Sequence, residues 1–179
     1  MTGTVNHLNF YKPIQFTDRE TMSLRWLQQR IDGEIKGFDL NLNPDYQRDH
    51  VWTDSQAEAF VGHFIEGGAS PMIIINSHEG WKEPDEVVDG KQRLNALLRW
   101  IRGEIAAEVT DGRRIYWDDL DEDSKRRMQS VTGPRIDLGY VQLSRPDVLR
   151  LYLRLNRGGT VHTDAEINRV RDMLAGCEG

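Results

Sequence analysis

Residues 86–100 read EVVDGKQRLNALLRW. An apolar pair, Val87 and Val88, runs into Asp89, Gly90, Lys91, Gln92 and Arg93, after which Leu94, Leu97, Leu98 and Ile101 recur with helical spacing. The first part predicts a buried strand over 86–89 and the second a helix over 91–102, stopped by Gly103. A strand that turns into a helix at Asp-Gly places polar chemistry at a helix N-terminus, where free backbone amides and the dipole favour an anion. Gly90 permits the tight turn. Lys91 and Arg93 add positive charge, and an arginine grips phosphate oxygens through two parallel bonds. Asp89 beside them suits a divalent metal or the proton of a hydroxyl or water nucleophile. The plainer reading is that Asp89 caps the helix while Lys91 and Arg93 are solvated. DGKQR is neither a P-loop nor a dinucleotide fingerprint, so the pattern alone leaves both readings open.

Outward from this stretch, strands and helices alternate. Met22, Leu24, Leu27 and Ile31 predict an amphipathic helix over 18–32, and GFDLNL at 37–42 a short strand. NPDYQRDHVW at 43–52 reads as loop. TDSQ at 53–56 has capping-box form and opens a helix to Glu66, stopped by Gly67 and Gly68. MIIIN at 72–76 is a buried strand, and residues 104–117 form a hairpin turned at Asp111-Gly112. A helix over 121–130, a strand over 135–143 and a helix over 146–156 follow, and TDAE at 163–166 caps a last helix. The order predicts one α/β (α+β) domain over 1–179, a small mixed sheet flanked by helices.

The 179 residues suffice for one core. MTGTVNHLNF shows no secretory leader, and no apolar run suits a membrane. The lone Cys177 excludes an internal disulfide or a cysteine zinc cluster and fits a cytoplasmic protein. A net charge of −6 argues against a broad DNA-binding face and leaves room for a local basic groove, with SKRRM at 124–128 and RLNRGGT at 154–160 as candidates. SKRRM reads more simply as a solvated helix face, and the acidic run DDLDED at 118–123 as a solvated helix start. His7, His50, His63, His78 and His162 show no metal-like spacing. Trp52, Trp81 and Trp117 are candidate interface anchors, or else packing residues.

Three stretches together carry a resemblance. NPDYQRDHVWTDSQAEAFVGHFIEGGASPMIII, then VVDGKQRLNALLRWIRGEI, then RLNRGGTVHTDAEI match in order and spacing the ParB/sulfiredoxin-like superfamily, in the branch with an Asp-Gly-Gln-Gln-Arg signature. Over about 24–167 the chain resembles the N-terminal domain of GmrSD-type modification-dependent restriction enzymes. The resemblance implies a nucleotide-binding fold whose signature loop holds the phosphates of ATP, GTP or CTP with Mg²⁺. By position, Asp89, Gly90, Lys91, Gln92 and Arg93 match the signature. Gln47 and Arg48 match the upstream Tyr-Gln-Arg motif. Asn156 matches the asparagine of the downstream Leu-Asn-x-Gly-Gly motif, which Gly158 and Gly159 complete and Thr160 follows, with Asn156 beside Asp89 in the catalytic role and Asp89 as the metal ligand. Lys91 departs from the usual glutamine and adds a charge near the phosphates. The restriction enzymes carry a nuclease domain with His-Asn-His chemistry that these residues do not supply.

The resulting expectation is a phosphotransfer enzyme acting at the γ-phosphate of a nucleoside triphosphate. With water as acceptor it is an NTPase; with a hydroxyl, such as that of a hydroxymethylated base in phage DNA, it is a kinase. DNA is then substrate or effector, and oligomerisation is open. The alternatives are an NTP-switched DNA- or protein-binding module without fast turnover, and a nuclease.

Overall fold

A computed structural model describes residues 14–35, 38–47, 52–78, 83–130, 133–156 and 164–178. The elements in chain order are β1 (Asp18–Ser23), α1 (Leu24–Ile31), β2 (Leu40–Asn41), α2 (Asp54–Ile65), β3 (Ile73–Asn76), β4 (Asp85–Asp89), α3 (Lys91–Ile101), β5 (Ala107–Glu108), β6 (Arg114–Ile115), α4 (Glu122–Gln129), β7 (Arg135–Val141), α5 (Arg145–Leu155) and α6 (Asp164–Glu178). A 3-10 turn at Trp117–Asp119 precedes α4. The α/β class and the mixed sheet expected from the sequence are present.

Five strands form the main sheet in the order β1-β7-β3-β4-β2, and β5 and β6 form the small hairpin. β1 runs antiparallel to β7 and β3 antiparallel to β4, while β3–β7 and β2–β4 are parallel. Strand alternation divides the inward residues between two cores. Ile73, Ile75, Val87, Ile136 and Leu138 pack with Leu24, Leu27, Phe64, Leu94, Leu97 and Trp100, which come from α1, α2 and α3. Ile74, Val88 and Val141 pack with Val148, Leu149 and Tyr152 of α5 and Val170 of α6. The sheet is therefore covered by helices on both faces, which explains why β3 is apolar at every position of IIIN until its last. Each fully buried leucine, isoleucine or valine contributes about 1.5–3 kcal/mol of transfer free energy.

One expected element is corrected. Residues 18–23 are a strand, not the first turns of a helix. Met22 is buried, but it lies in the strand beside Ile136 of β7. The helix begins at Leu24, where the Ser23 hydroxyl accepts from the Trp26 amide at 3.4 Å. The capping box of α2 is formed as read: the Thr53 hydroxyl accepts from the Gln56 amide, and Gln56 Oε1 accepts from the Thr53 amide at 2.9 Å. The hairpin turns at Gly112, whose φ is +83°. The cap expected at Thr163 lies outside the described residues.

Candidate functional site

The signature stretch sits at the C-terminal end of β4 and the first turn of α3. Gly90 is the N-cap of α3 with φ +104°, and as a glycine it brings no side chain to cap the helix. The expectation that Asp89 merely caps the helix is corrected, because its carboxylate is engaged elsewhere. Arg93 Nη2 donates to Asp89 Oδ2 at 2.6 Å, and Nη1 donates to the Pro71 carbonyl. The Arg93 side chain is 11 % exposed and that of Asp89 40 %. Burial pulls the Arg93 guanidinium down from its usual range, and the Asp89 carboxylate opposes that shift. Lys91 is buried at 6 % exposure and is not without a partner. The picture of Lys91 and Arg93 as solvated cations is thus overturned.

The close approach that needs a glycine is on the core side. A Cβ on Gly90 would lie 2.2 Å from Ile73 Cδ1 of β3. The turn is pressed onto the sheet by this contact, which fixes where the first amides of α3 point.

β4 is irregular just before the turn. Ile74 pairs with Asp89 and Ile75 with Val87, so the register slips by one residue at Val88. In a regular strand adjacent carbonyls point to opposite sides, but here one group reaches two of them. Gln47 Nε2 donates to the Val87 carbonyl and, at 3.1 Å, to the Val88 carbonyl. Bulges of this kind re-aim the residues that follow them. Gln47 therefore spends its amide nitrogen on the strand that carries Asp89. At the other end of the same loop, the Trp52 amide donates to Gln92 Oε1 at 3.5 Å. The two described residues that flank 48–51 are both tied to the signature stretch. Arg48 itself lies outside the described residues, as do Gly158, Gly159 and Thr160.

Tyr46 is buried at 1 % exposure and packs edge-on against Tyr152 of α5, with ring centroids 5.3 Å apart. Its hydroxyl donates to Glu86 Oε2 at 3.4 Å. Burial, followed by the nearby Glu86 carboxylate, pushes the Tyr46 hydroxyl well above its ordinary range. Burial likewise raises Glu86, against the opposing pull of His78 and Arg145. Asn156 is the C-cap of α5, one turn beyond Tyr152, and its Nδ2 donates to the Tyr152 carbonyl at 2.8 Å. Asn156 is thereby tied to the residue that packs on Tyr46.

Sequence reading missed two cations here. Arg169 of α6 donates to the Gln47 carbonyl at 3.0 Å, and Arg145 pairs with Asp45 while its guanidinium lies 5.1 Å from the centre of the Tyr46 ring. Neither lies in a motif, and only the packing of α5 and α6 on this face brings them in.

Other candidates resolve as packing or surface. Trp117 is buried and stands edge-on to Trp100 at 5.0 Å, and Trp52 packs against Phe60 at 5.5 Å, so neither is an exposed anchor. Trp81 is outside the described residues. Asp121 caps α4, and the acids of the DDLDED run are exposed. Lys125 and Arg126 are paired with Glu122 and Asp123 on the same helix, and no residue of α4 is buried. His63 and His78 are separate, and among the described residues no three His, Cys, Asp or Glu side chains could hold a metal. His7, His50 and His162 lie outside the described residues. No helix among the described residues is long and apolar enough to cross a membrane.

The donor set at Gly90–Arg93 suits an anion: a helix start with a glycine N-cap and two cations largely withdrawn from solvent. It offers a divalent ion one described carboxylate, Asp89. Such an ion would take its other ligands from phosphate oxygens and water, as Mg²⁺ commonly does.

The family described as the GmrSD restriction endonuclease N-terminal domain matches residues 25–170. No curated protein and no solved structure matches the chain. With most of its length matched, the chain belongs to the GmrSD N-terminal domain family.

Proposed function

From that membership, we propose that the chain is a nucleotide-dependent phosphotransfer enzyme of a system directed at modified DNA. The triphosphate of ATP, GTP or CTP lies against the first turn of α3, held by the backbone at Gly90 to Gln92 and by Lys91, Arg93 and Arg48. Asp89 holds Mg²⁺ together with the phosphates or takes the proton of the acceptor. Gln47 positions Asp89 through the β4 bulge. Asn156 approaches from the end of α5 with Gly158, Gly159 and Thr160 after it.

The reading rests on one observation above all: Asp89 and Arg93 are joined across a helix start whose N-cap is a glycine in the left-handed region. The helix dipole disfavours an arginine and a lysine in the first turn by about 0.3–1 kcal/mol each, which the Asp89 pair offsets in part for Arg93. An anionic ligand reverses that sign. Catalysis of γ-phosphoryl transfer is largely positioning and charge neutralisation, which this set supplies.

The fate of γ-labelled ATP, GTP and CTP with Mg²⁺ tests the proposal, with plain or hydroxymethylated DNA added. Free labelled phosphate indicates an NTPase; label on the hydroxymethylated DNA alone indicates a kinase. Either product should disappear with Asp89→Asn. Label that never leaves a nucleotide that still binds contradicts phosphotransfer and leaves a nucleotide-switched binding module. Lys91→Gln, which restores the usual signature residue, should retain activity.

A further inference from the structure

A cavity of about 480 Å³ opens at the end of β4 away from Gly90. It is built by a change of period in the sequence. Asp18, Glu20 and Met22 alternate onto one face of β1, and Trp26 and Arg30 follow at helical spacing on α1. Phe38, His78, Asp85 and Tyr140 complete the lining that matters here.

Its floor is internally satisfied. Arg30 is 2 % exposed and donates to the Phe38 carbonyl, the Tyr140 hydroxyl and Asp85 Oδ2, each at 2.7 Å. Asp85 Oδ1 accepts from the His78 amide at 3.3 Å. The His78 ring stands 3.9 Å from Glu86 and 4.0 Å from Glu83. Arg30 and Asp85 thus neutralise each other. Asp18 and Glu20 are exposed, and neither is in an ion pair among the described residues. Among the described residues Asp18 Oδ1 accepts from the Arg19 amide at 2.7 Å, and Glu20 accepts from the Tyr140 hydroxyl. Among the described residues, the cavity therefore carries two carboxylates without a paired cation. It also holds two of the large hydrophobic side chains left exposed, Trp26 at 37 % and Phe38 at 39 %.

Carboxylates without cations, beside aromatic faces, form a cation–π and ion-pair box for an organic cation. The same charges repel phosphate, so this is not a second nucleotide site. We infer that the cavity between β1 and α1 binds an organic ammonium ion, with Trp26 and Phe38 on its hydrocarbon or methyl groups and Asp18 and Glu20 on its charge. The source of the ammonium is a free amine or a lysine side chain. The site is separate from the nucleotide reading, and each stands or falls without the other.

The test is calorimetric titration of the intact chain with choline, spermidine and N-acetyl-lysine amide, and with 3,3-dimethylbutan-1-ol as the uncharged isostere of choline. At least one cation should saturate the protein below about 10 mM, a millimolar dissociation constant being ordinary for so few contacts. The isostere should not bind. Tightest binding by N-acetyl-lysine amide would assign the site to a lysine side chain, and by choline or spermidine to a free amine. Trp26→Ala and Glu20→Gln should each weaken binding by about tenfold, the scale of one cation–π or charge contact. Both variants change exposed side chains, and the amide introduced by Glu20→Gln keeps an acceptor for the Tyr140 hydroxyl, so thermal melting should confirm folding. No saturation by any of the cations, equal binding of the isostere, or undiminished binding by both variants overturns the inference.

Discussion

Asp89 and Arg93 stand one helical turn apart, carboxylate to guanidinium at 2.6 Å, across a glycine in the left-handed region. The pair is asymmetric, since the arginine is nearly buried and the aspartate is not. Asp89→Ala would leave the guanidinium with the Pro71 carbonyl as its remaining described acceptor. The expected loss is roughly 1–2 kcal/mol, discounted from that of a fully buried pair because Asp89 is partly solvated. Urea melts measure it. A loss below about 0.3 kcal/mol would show that the pair does not hold the turn.

Gly90→Ala should be more damaging than either charge removal. It meets a positive φ and also a Cβ contact of 2.2 Å with Ile73. Strain of this kind costs about 1–3 kcal/mol, with overpacking in addition. Ile73→Val in the same chain removes the clashing methyl and should restore part of the loss. If Gly90→Ala alone melts like the wild type, the turn is not pressed onto β3 as described.

Gln47 should act through the strand. Gln47→Ala removes the donor shared by the Val87 and Val88 carbonyls, at a cost of about 1–3 kcal/mol for buried acceptors left unmade. Gln47→Glu should be worse, because a carboxylate would face the same carbonyls. Amide exchange over residues 87–93 should quicken in both variants. Unchanged exchange would separate Gln47 from the geometry of the bulge.

Glu86 gives a pH signature. Burial raises its pKa in the folded chain above that in the unfolded chain. Its favourable contribution is therefore full at pH below the ordinary glutamate range and is lost as pH rises through the raised folded value. Glu86→Gln cannot ionise and keeps an acceptor for the Tyr46 hydroxyl. It should melt higher than the wild type near neutral pH, and the gain should vanish in acid. A gain that persists undiminished below the glutamate range would assign the effect to something other than ionisation.

Much of this was legible before the structure. The capping box of α2, the IIIN strand and the strand–glycine–helix turn each have a local cause, and local causes survive folding. β1 did not, because DRETMS on an edge strand leaves most of its residues exposed and shows no apolar alternation. Its one buried side chain, Met22, fell into register with Leu24 and Leu27 and lengthened the apparent helix. Ser23 was the available signal for the boundary. In the candidate site, the strand–turn–helix placement of Asp89 to Arg93 followed from the sequence, but the burial of Lys91 and Arg93 did not. Whether Lys91 and Arg93 are solvated depends on Pro71, Ile73 and the bulge at Val88, which come together only when β3 and β4 pair. Arg145 and Arg169 were invisible for the same reason: they join the site through packing on the opposite face of the sheet from α3.

The central claim is that the turn at Gly90 holds nucleotide phosphates. Its most direct test is calorimetric binding of ATP, GTP and CTP with Mg²⁺ to the wild type and to Arg93→Ala, with the corresponding nucleosides as controls. At least one triphosphate should bind, its nucleoside should bind far more weakly, and Arg93→Ala should weaken the triphosphate by about tenfold or more, the scale of one charge-assisted phosphate contact. No binding of any triphosphate, or equal affinity for the wild type and a folded Arg93→Ala chain, would contradict the claim.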